Sequence, residues 1–203
     1  MMRDALRALL TRTLDLSGVA RLLRGRFAGE GVIFTFHRVV ERPGDTADPG
    51  LAVTADLLDR MLGYVGRAGW DVVDMDGVAE RLTDGRRGRA RFVACTFDDG
   101  FLDNLTLALP VFRGHGVPMT VYAVPGLLDR SVDATWVALD RLVMARPSLD
   151  VGAPSLPALP CATPAEKRAA FLRLLGPTVY GTDPAVRERV LALCAAEFGS
   201  LRY

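Results

Sequence analysis

The chain has 203 residues, of which 50% are hydrophobic and 24% charged, and its net charge at pH 7 is +1. This length suits one globular domain with a substantial core, and the composition excludes a disordered chain. The near-neutral charge gives no field that would attract nucleic acid, so we expect no nucleic-acid partner. The three cysteines form no CxxC pair, which argues against a zinc knuckle or a disulfide framework and favours buried, reduced thiols.

Residues 1–28 predict an N-terminal amphipathic helix. Its apolar residues recur at helical spacing, and they are Leu6, Leu9, Leu10, Leu16, Val19 and Leu23. Charged residues interrupt the segment and exclude a signal-peptide core, and no run reaches the roughly 20 apolar residues of a membrane span. Such a helix packs against its own domain or lies on an anionic membrane surface, and both alternatives stay open. We therefore expect a cytoplasmic protein without a transmembrane segment.

Strands and helices alternate between residues 29 and 146. The predicted strands are GVIFTFHRV (31–39), WDVVDMD (70–76), RFVACTFDD (91–99) and VPMTVYAVP (117–125). The predicted helices follow Thr54, Asp76 and Gly100, and Pro110 should bend or interrupt the last of them. A run of arginines (86–91) before the third strand predicts a solvated loop. Short strands that are apolar on both faces are typical of a parallel sheet covered by helices.

The alternation stops at Trp136, and from there the sequence predicts helices. The first is TWVALDRLVMA (135–145), and a Pro-rich loop then separates it from TPAEKRAAFLRLLG (163–176) and DPAVRERVLALCAAEFG (183–199) in the last segment, residues 147–203. Thr163 and Glu166 have the spacing of a capping box, and Asp183 precedes a proline in the same way. The sequence thus divides into residues 1–28, 29–146 and 147–203.

Two adjacent carboxylates end the third predicted strand, within VACTFDDGFLDN (93–104). Sites in parallel α/β sheets form at the carboxyl ends of strands, which is where Asp98 and Asp99 lie. Neighbouring side chains of a strand point in different directions, so one carboxylate can bind a metal while the other accepts a proton. Adjacent acids also cap helices, and that alternative stays open.

The TFDDGFLDN block, with VIFTFHRV upstream and GVPMTVYAVPGLLD downstream, resembles the polysaccharide deacetylase family, the NodB-homology enzymes of carbohydrate esterase family four. The resemblance covers residues 31–145. It implies an α/β fold, a partial (β/α) barrel with about four parallel strands, followed by a helical insertion-like segment. It also implies an N-acetylated carbohydrate substrate, hydrolysis of a non-peptide carbon–nitrogen bond, and a divalent zinc or cobalt ion.

Individual positions follow from the same resemblance. Asp98 matches the family's catalytic base, and Asp99 matches its metal-ligating aspartate. His37 matches a histidine at the end of the first strand that faces the site, although a structural role is an equal alternative. Trp136 is the aromatic residue best placed to stack on a sugar, with core packing as the alternative.

The chain departs from the family pattern because the H-x-x-x-H motif that completes the metal site is absent. The sequence contains two histidines, His37 and His115, and we expect His115 to end a helix in solvent. We therefore expect an incomplete deacetylase with an open sheet edge and exposed apolar residues. The alternative is a truncated, non-catalytic domain that binds a sugar or a partner. A phosphotransferase of the haloacid-dehalogenase kind would need D-x-D, and Gly100 occupies the position of the second acid.

Overall fold

The computed structural model describes residues 9–14, 16–19, 22, 29–48, 50–84, 91–129, 131–132 and 134–199. The chain forms two compact units, Met1–Val32 and Ile33–Tyr203. In the first unit residues 9–14 are helical, and its exposed apolar side chains include those of Leu9, Leu10, Leu16 and Leu22. Most of the predicted N-terminal helix, with Leu6 and Leu23, and the arginine run at 86–90 lie outside the described residues. Contact of the N-terminal helix with a membrane surface stays a prediction.

A four-stranded sheet is built around one buried strand. Its strands are β1 (Gly31–Phe36), β4 (Asp71–Val73), β5 (Phe92–Asp99) and β6 (Thr120–Ala123). Strand β5 pairs with the other three, and its pairings with β4 and β6 are parallel. Its residues from Phe92 to Phe97 are all buried, which explains their unbroken apolar sequence. The α/β class with parallel strands is thus confirmed, while the sheet of the described residues is not closed, so the barrel stays a prediction.

The first predicted strand is two strands in the structure. Strand β1 ends at Phe36, and β2 (Arg38–Val40) leaves the main sheet to pair in parallel with β3 (Ala52–Thr54). The break falls at His37, so that this residue lies at a junction between two sheets rather than inside one strand.

Two short helices follow the strands as predicted. Helix α1 (Ala55–Arg67) begins after Thr54, whose hydroxyl accepts a hydrogen bond from the Leu57 N–H, and α2 (Met75–Thr83) begins after Asp74. N-cap side chains satisfy backbone donors that the first turn leaves without helical partners. The predicted start of α2 was two residues late, because Asp74 rather than Asp76 is the cap.

Pro110 interrupts the helix after β5, as its sequence predicts. The α-helical hydrogen-bond pattern is interrupted by a π-helical turn at Asn104–Ala108, and helix α3 (Leu109–His115) continues directly from it with the proline in its first turn. A proline in the first turn removes no intrahelical hydrogen bond. The wider turn before it brings Asn104 into the protein, where its side chain is buried. Helix α3 ends at Gly116, whose φ of 64° is left-handed.

The remaining helices pack on one another around a dense core. After the short helix α4 (Pro125–Leu128) come α5 (Thr135–Ala145), α6 (Pro164–Val179) and α7 (Pro184–Phe198). The predicted capping box of Thr163 and Glu166 is present, and Asp183 caps α7. Their largest fully buried side chains are Leu139, Leu142, Val143, Phe171, Leu174 and Val190. The predicted division near residue 147 stays a prediction; α5, which precedes it, belongs to this core.

The Pro-rich stretch after α5 is mainly a loop, as predicted. It also contains a short antiparallel pair, β7 (Ser148–Leu149) and β8 (Leu159–Pro160). Its apolar residues enter the helical core, namely Leu149, Val151, Ala153, Leu156, Leu159 and Cys161. Burial of these side chains therefore fixes a stretch that has little regular secondary structure.

The single lysine of the chain holds the end of a helix. Lys167 Nζ donates to the carbonyls of Val143, Met144 and Arg146 at 3.1, 2.8 and 3.1 Å. These are carbonyls of the last turn of α5, which have no helical donor. A lysine here closes α5 against α6 and satisfies all three of its own donors.

The three cysteines are free and buried, as expected. Burial raises the pKa of the Cys95 thiol to about 12 and that of the Cys194 thiol to about 11. Neither is therefore a reactive thiolate near neutral pH. Among the described residues, the helices are all too short or too polar to span a bilayer.

Candidate active site at the end of strand β5

Asp98 and Asp99 are the last two residues of β5, at its carboxyl end as predicted. Asp99 has a φ of 70°, a left-handed conformation that is uncommon for a residue with a side chain, and Gly100 has the same φ. A Cβ at Gly100 would lie 3.3 Å from the Cα of Ala123 on β6. The DDG sequence therefore turns the chain sharply against the neighbouring strand, and strained aspartates of this kind concentrate at functional sites.

His37 and Asp98, predicted to share a site, lie side by side. The His37 Nε2 atom is 3.8 Å from Asp98 Oδ2, and each side chain is about one third exposed, at 31% and 36%. This separation is too long for a hydrogen bond but suits an ion pair when the imidazole is protonated. The His37 carbonyl accepts a hydrogen bond of 2.9 Å from Asn104 Nδ2, which fixes the backbone of the histidine.

The environment of Asp99 favours its protonated form. Partial burial raises the pKa of the Asp99 carboxyl, the neighbouring charge of Asp98 raises it further, and His37 opposes both effects. Removing a carboxylate from water disfavours its charge, as does a second carboxylate beside it. A positive charge next to Asp99 would therefore stabilise its ionised form, as His37 does in part.

Asp99 borders a cavity of about 300 Å³ that the helices help to enclose, called the polar cavity here for its two carboxylates and its histidine, although Leu51, Phe171, Leu175 and Val179 also line it. His37, Asp48 and Trp136 line it, together with Tyr180 at the end of α6. The structure thus brings the predicted residues His37, Asp99 and Trp136 to one cavity. Asp48 and Tyr180 were missed, since nothing in their local sequence marks them and only the packing of α6 brings Tyr180 here.

A second cavity, of about 530 Å³, lies on the other side of Asp99. Its apolar wall comes from α4, α5 and the segment after Asp99, and includes Phe101, Leu102, Leu127, Leu128, Ala134, Val137 and Met144. The Phe101 and Trp136 rings meet edge to face, with centroids 5.4 Å apart. Phe101 lines the larger cavity and Trp136 the smaller, so this aromatic pair stands between the two.

An ion pair that the sequence did not predict lies next to the site. Arg38 Nε donates to Asp103 Oδ2 at 2.5 Å, and the Val39 N–H donates to Asp103 Oδ1 at 3.0 Å. The Arg38 guanidinium also lies over the Phe101 ring, 5.1 Å from its centroid. Asp103, on the helix after β5, therefore fixes the start of β2, which directly follows His37.

Asp140 on helix α5 is a buried carboxylate that holds the loop between β2 and β3. Its Oδ1 atom accepts from the Ala47 N–H at 2.7 Å and from Thr46 Oγ1 at 3.0 Å. Burial raises the pKa of Asp140, and these two hydrogen bonds oppose the effect. This loop also bears Asp48, so the helical part of the chain fixes one side of the polar cavity.

The side chains do not fit a metal site with three protein ligands. Within the described ranges no group of three His, Cys, Asp or Glu residues could hold an ion, whereas catalytic zinc usually has three protein ligands and one water. His115 ends α3 and is exposed, as expected, and its Nε2 lies 2.9 Å from Asp59 Oδ1 on α1. Because α3 leads into the start of β6, His115 lies at the opposite end of the parallel strands from Asp99.

No protein-family model matches the chain, and a comparison with curated proteins finds no match. Several solved structures are similar to it, three of which are the following. A de-N-acetylase from Aggregatibacter actinomycetemcomitans is 19% identical, with a TM-score of 0.42, over 49% of this chain and 39% of that one. IcaB from Ammonifex degensii is 24% identical, with a TM-score of 0.40, over 46% of this chain and 37% of that one. The Streptococcus pyogenes deacetylase PplD, solved in complex with acetate, is 19% identical, with a TM-score of 0.43, over 84% and 80%.

The matched region thus spans less than two fifths of the first two of these proteins. In this chain the central strand of a parallel α/β sheet ends in a carboxylate pair, and a histidine that follows the neighbouring strand β1 lies beside it.

Proposed function

We propose that the chain is a deacetylase-like hydrolase that acts on the N-acetyl group of a carbohydrate. The observation that supports this best is that His37 and Asp99 line one cavity with Trp136 and Tyr180, while Asp98 lies beside them, 3.8 Å from His37. Aromatic side chains beside polar groups suit a sugar ring, which has an apolar face and hydroxyl edges. The TFDDG block, which resembles that of polysaccharide deacetylases, supplies the specific reaction.

In this proposal Asp98 is the general base. Water loses a proton to the Asp98 carboxylate as it attacks the acetamide carbonyl, and cleavage of the carbon–nitrogen bond yields acetate and a free amine. His37, 3.8 Å from Asp98, stabilises the ionised base when protonated, and the proton that Asp98 takes from water passes to the departing nitrogen. Trp136 holds the sugar ring.

The resemblance also implies zinc or cobalt, with Asp99 as a ligand. However, the described residues do not form a three-ligand group, so no step is assigned to a metal.

Release of acetate from N-acetylchitotriose tests the proposal. We expect the wild-type chain to release acetate, and Asp98→Asn to lower kcat by a factor of about 10² to 10⁴, the usual contribution of a general base. Asp76→Asn is the matched control, since Asp76 is an exposed aspartate in the first turn of α2. Each protein is assayed with EDTA, with zinc and with cobalt. Equal turnover by wild type and Asp98→Asn would contradict the assignment.

A second candidate is a non-catalytic domain that binds N-acetylated sugar. The observation that favours it is that the described residues contain no group of three metal ligands. Calorimetric titration with N-acetylchitotriose separates the two candidates. Binding without acetate release under any metal condition would favour the binding domain, and failure of both binding and release would overturn both candidates.

A further inference from the structure

The larger cavity beside Asp99 has no role in the reaction proposed above. Its volume of about 530 Å³ is within the range of about 300–1,000 Å³ that is typical of small-molecule sites. It adjoins the polar cavity directly, because Asp99 lines both.

Apart from Asp99, which borders both cavities, the charged residues around the larger cavity are already engaged within the protein. Arg38 is paired with Asp103, and Asp140 accepts from Ala47 and Thr46. Asp45 accepts from the Arg42 N–H at 2.9 Å, and the Arg141 guanidinium lies 4.7 Å from the centroid of the Phe198 ring. An ionic ligand would therefore have to compete with existing contacts, whereas the apolar wall offers aliphatic and aromatic surface.

The mouth of this cavity is also apolar. Leu102 and Leu128, which line it, are 73% and 71% exposed. Exposed large apolar side chains around a cavity are typical of a ligand-binding groove. They share the lining of this cavity with Phe101, so apolar side chains lie both next to the polar cavity and at the solvent-exposed edge of the larger one.

We propose that the substrate is an amphiphilic N-acetylated glycoside, whose sugar occupies the polar cavity while an attached aliphatic chain occupies the larger one. This inference rests on the proposed function for its sugar part and on the larger cavity for its aliphatic part. The Phe101–Trp136 pair lies at the junction, with Trp136 facing the sugar and Phe101 facing the chain.

A series of N-acetyl-β-D-glucosaminides with methyl, butyl and octyl aglycones tests the inference by calorimetric titration below the critical micelle concentration. Each methylene buried in the cavity should improve affinity about fourfold, so the octyl glycoside should bind at least tenfold more tightly than the methyl glycoside. Equal affinities would overturn the aliphatic subsite and leave the proposed sugar site intact.

Variants locate the effect. Leu127→Trp should fill the cavity and abolish the gain from methyl to octyl without weakening the methyl glycoside. Leu82→Trp is the control, because Leu82 is 62% exposed on α2 and borders neither cavity. A gain that survives Leu127→Trp in a protein with unchanged near-ultraviolet circular dichroism would overturn the location. Met144→Ala gives a second test, since an enlarged cavity should keep the gain.

Octyl β-D-glucoside, which lacks the acetamide, separates the two proposals. If it binds as tightly as the N-acetylated glycoside and Leu127→Trp weakens it, the aliphatic subsite stands and the deacetylase assignment is contradicted. If it binds more weakly than the N-acetylated glycoside, both the acetamide and the chain contribute to recognition, as proposed.

Discussion

The sheet region (residues 33–129) and the helical region (residues 134–199) of this protein differ in how completely they bury their apolar residues. In the sheet, β5 is buried, but the strands on either side expose large side chains, with Ile33, Val121 and Tyr122 exposed by 44%, 43% and 49%. In the helical region Leu139, Leu142 and Phe171 are fully buried. The helical region thus contains the more completely buried apolar side chains of this comparison, while the candidate catalytic carboxylates lie in the sheet region.

The two regions nevertheless line one cavity. The sheet region supplies His37 and Asp99, with Asp98 beside His37, and the helical region supplies Trp136 and Tyr180. The comparison indicates that the well-packed helices hold one wall of a cavity whose reactive groups stand on the less completely covered sheet. Functional groups are more precise when a rigid scaffold holds them.

The largest expected effect comes from truncating the helical core. Leu174 is fully buried on α6, while Leu172 on the same helix is 53% exposed. Leu174→Ala should lower the free energy of unfolding by about 2–5 kcal/mol, because it leaves a cavity. Leu172→Ala should stay within about 0.5 kcal/mol of wild type. Urea denaturation measures both, and similar losses at the two positions would remove the contrast between core and surface.

The contact between the two regions at Asp140 should produce the next largest effect. Asp140→Ala leaves the buried Ala47 N–H and the Thr46 hydroxyl without their acceptor, at a cost of about 1–3 kcal/mol in the free energy of unfolding. Asp140→Asn keeps an oxygen acceptor and removes the charge, so it should cost less.

The pH dependence of the free energy of unfolding tests whether burial disfavours the charged form of Asp140. Burial raises its folded-state pKa above the unfolded value of about 3.9, so the folded state binds the proton more tightly. Wild-type stability should therefore fall as pH rises from about 4 through the raised folded-state pKa, and Asp140→Asn should lack this contribution. A constant difference between the two proteins from pH 4 to 8 would contradict the role of burial.

A smaller effect is expected in the turn after β5, where a side chain at position 100 would meet both an unfavourable φ and a close neighbouring strand. Gly100→Ala places a side chain at positive φ and 3.3 Å from Ala123, while Gly116→Ala places one at a similar φ with no atom within 4 Å. Gly116→Ala should cost about 1–2 kcal/mol in the free energy of unfolding, from the left-handed backbone alone. Gly100→Ala should cost more. Equal losses would show that β6 yields freely at the candidate site.

The sequence was most informative where a local signal decides the structure. Thr54, the Thr163–Glu166 box and Asp183 each cap a helix through hydrogen bonds that span only a few residues. Pro110 interrupts its helix for an equally local reason. The buried run from Phe92 to Phe97 marks the central strand, and the DDG that follows marks the end of it.

Contacts between distant parts of the chain could not be predicted in this way. Asp140 meets Thr46 and Ala47 across more than ninety residues, and Tyr180 reaches the polar cavity only because α6 packs as it does. The pairing of Arg38 with Asp103 has the same origin. Such contacts depend on tertiary packing, for which a single sequence contains no periodic signal.

The fluorescence of Trp136 can show whether the sheet and the helices form one site for an N-acetylated sugar. The chain has two tryptophans, so Trp70→Phe leaves Trp136 as the sole indole. Titration of this variant with N-acetylchitotriose should change the emission with saturation, and both Asp99→Asn on the sheet and Tyr180→Ala on the helical region should weaken the apparent affinity. Emission that stays constant throughout the titration, or a change that neither substitution affects, would contradict the account.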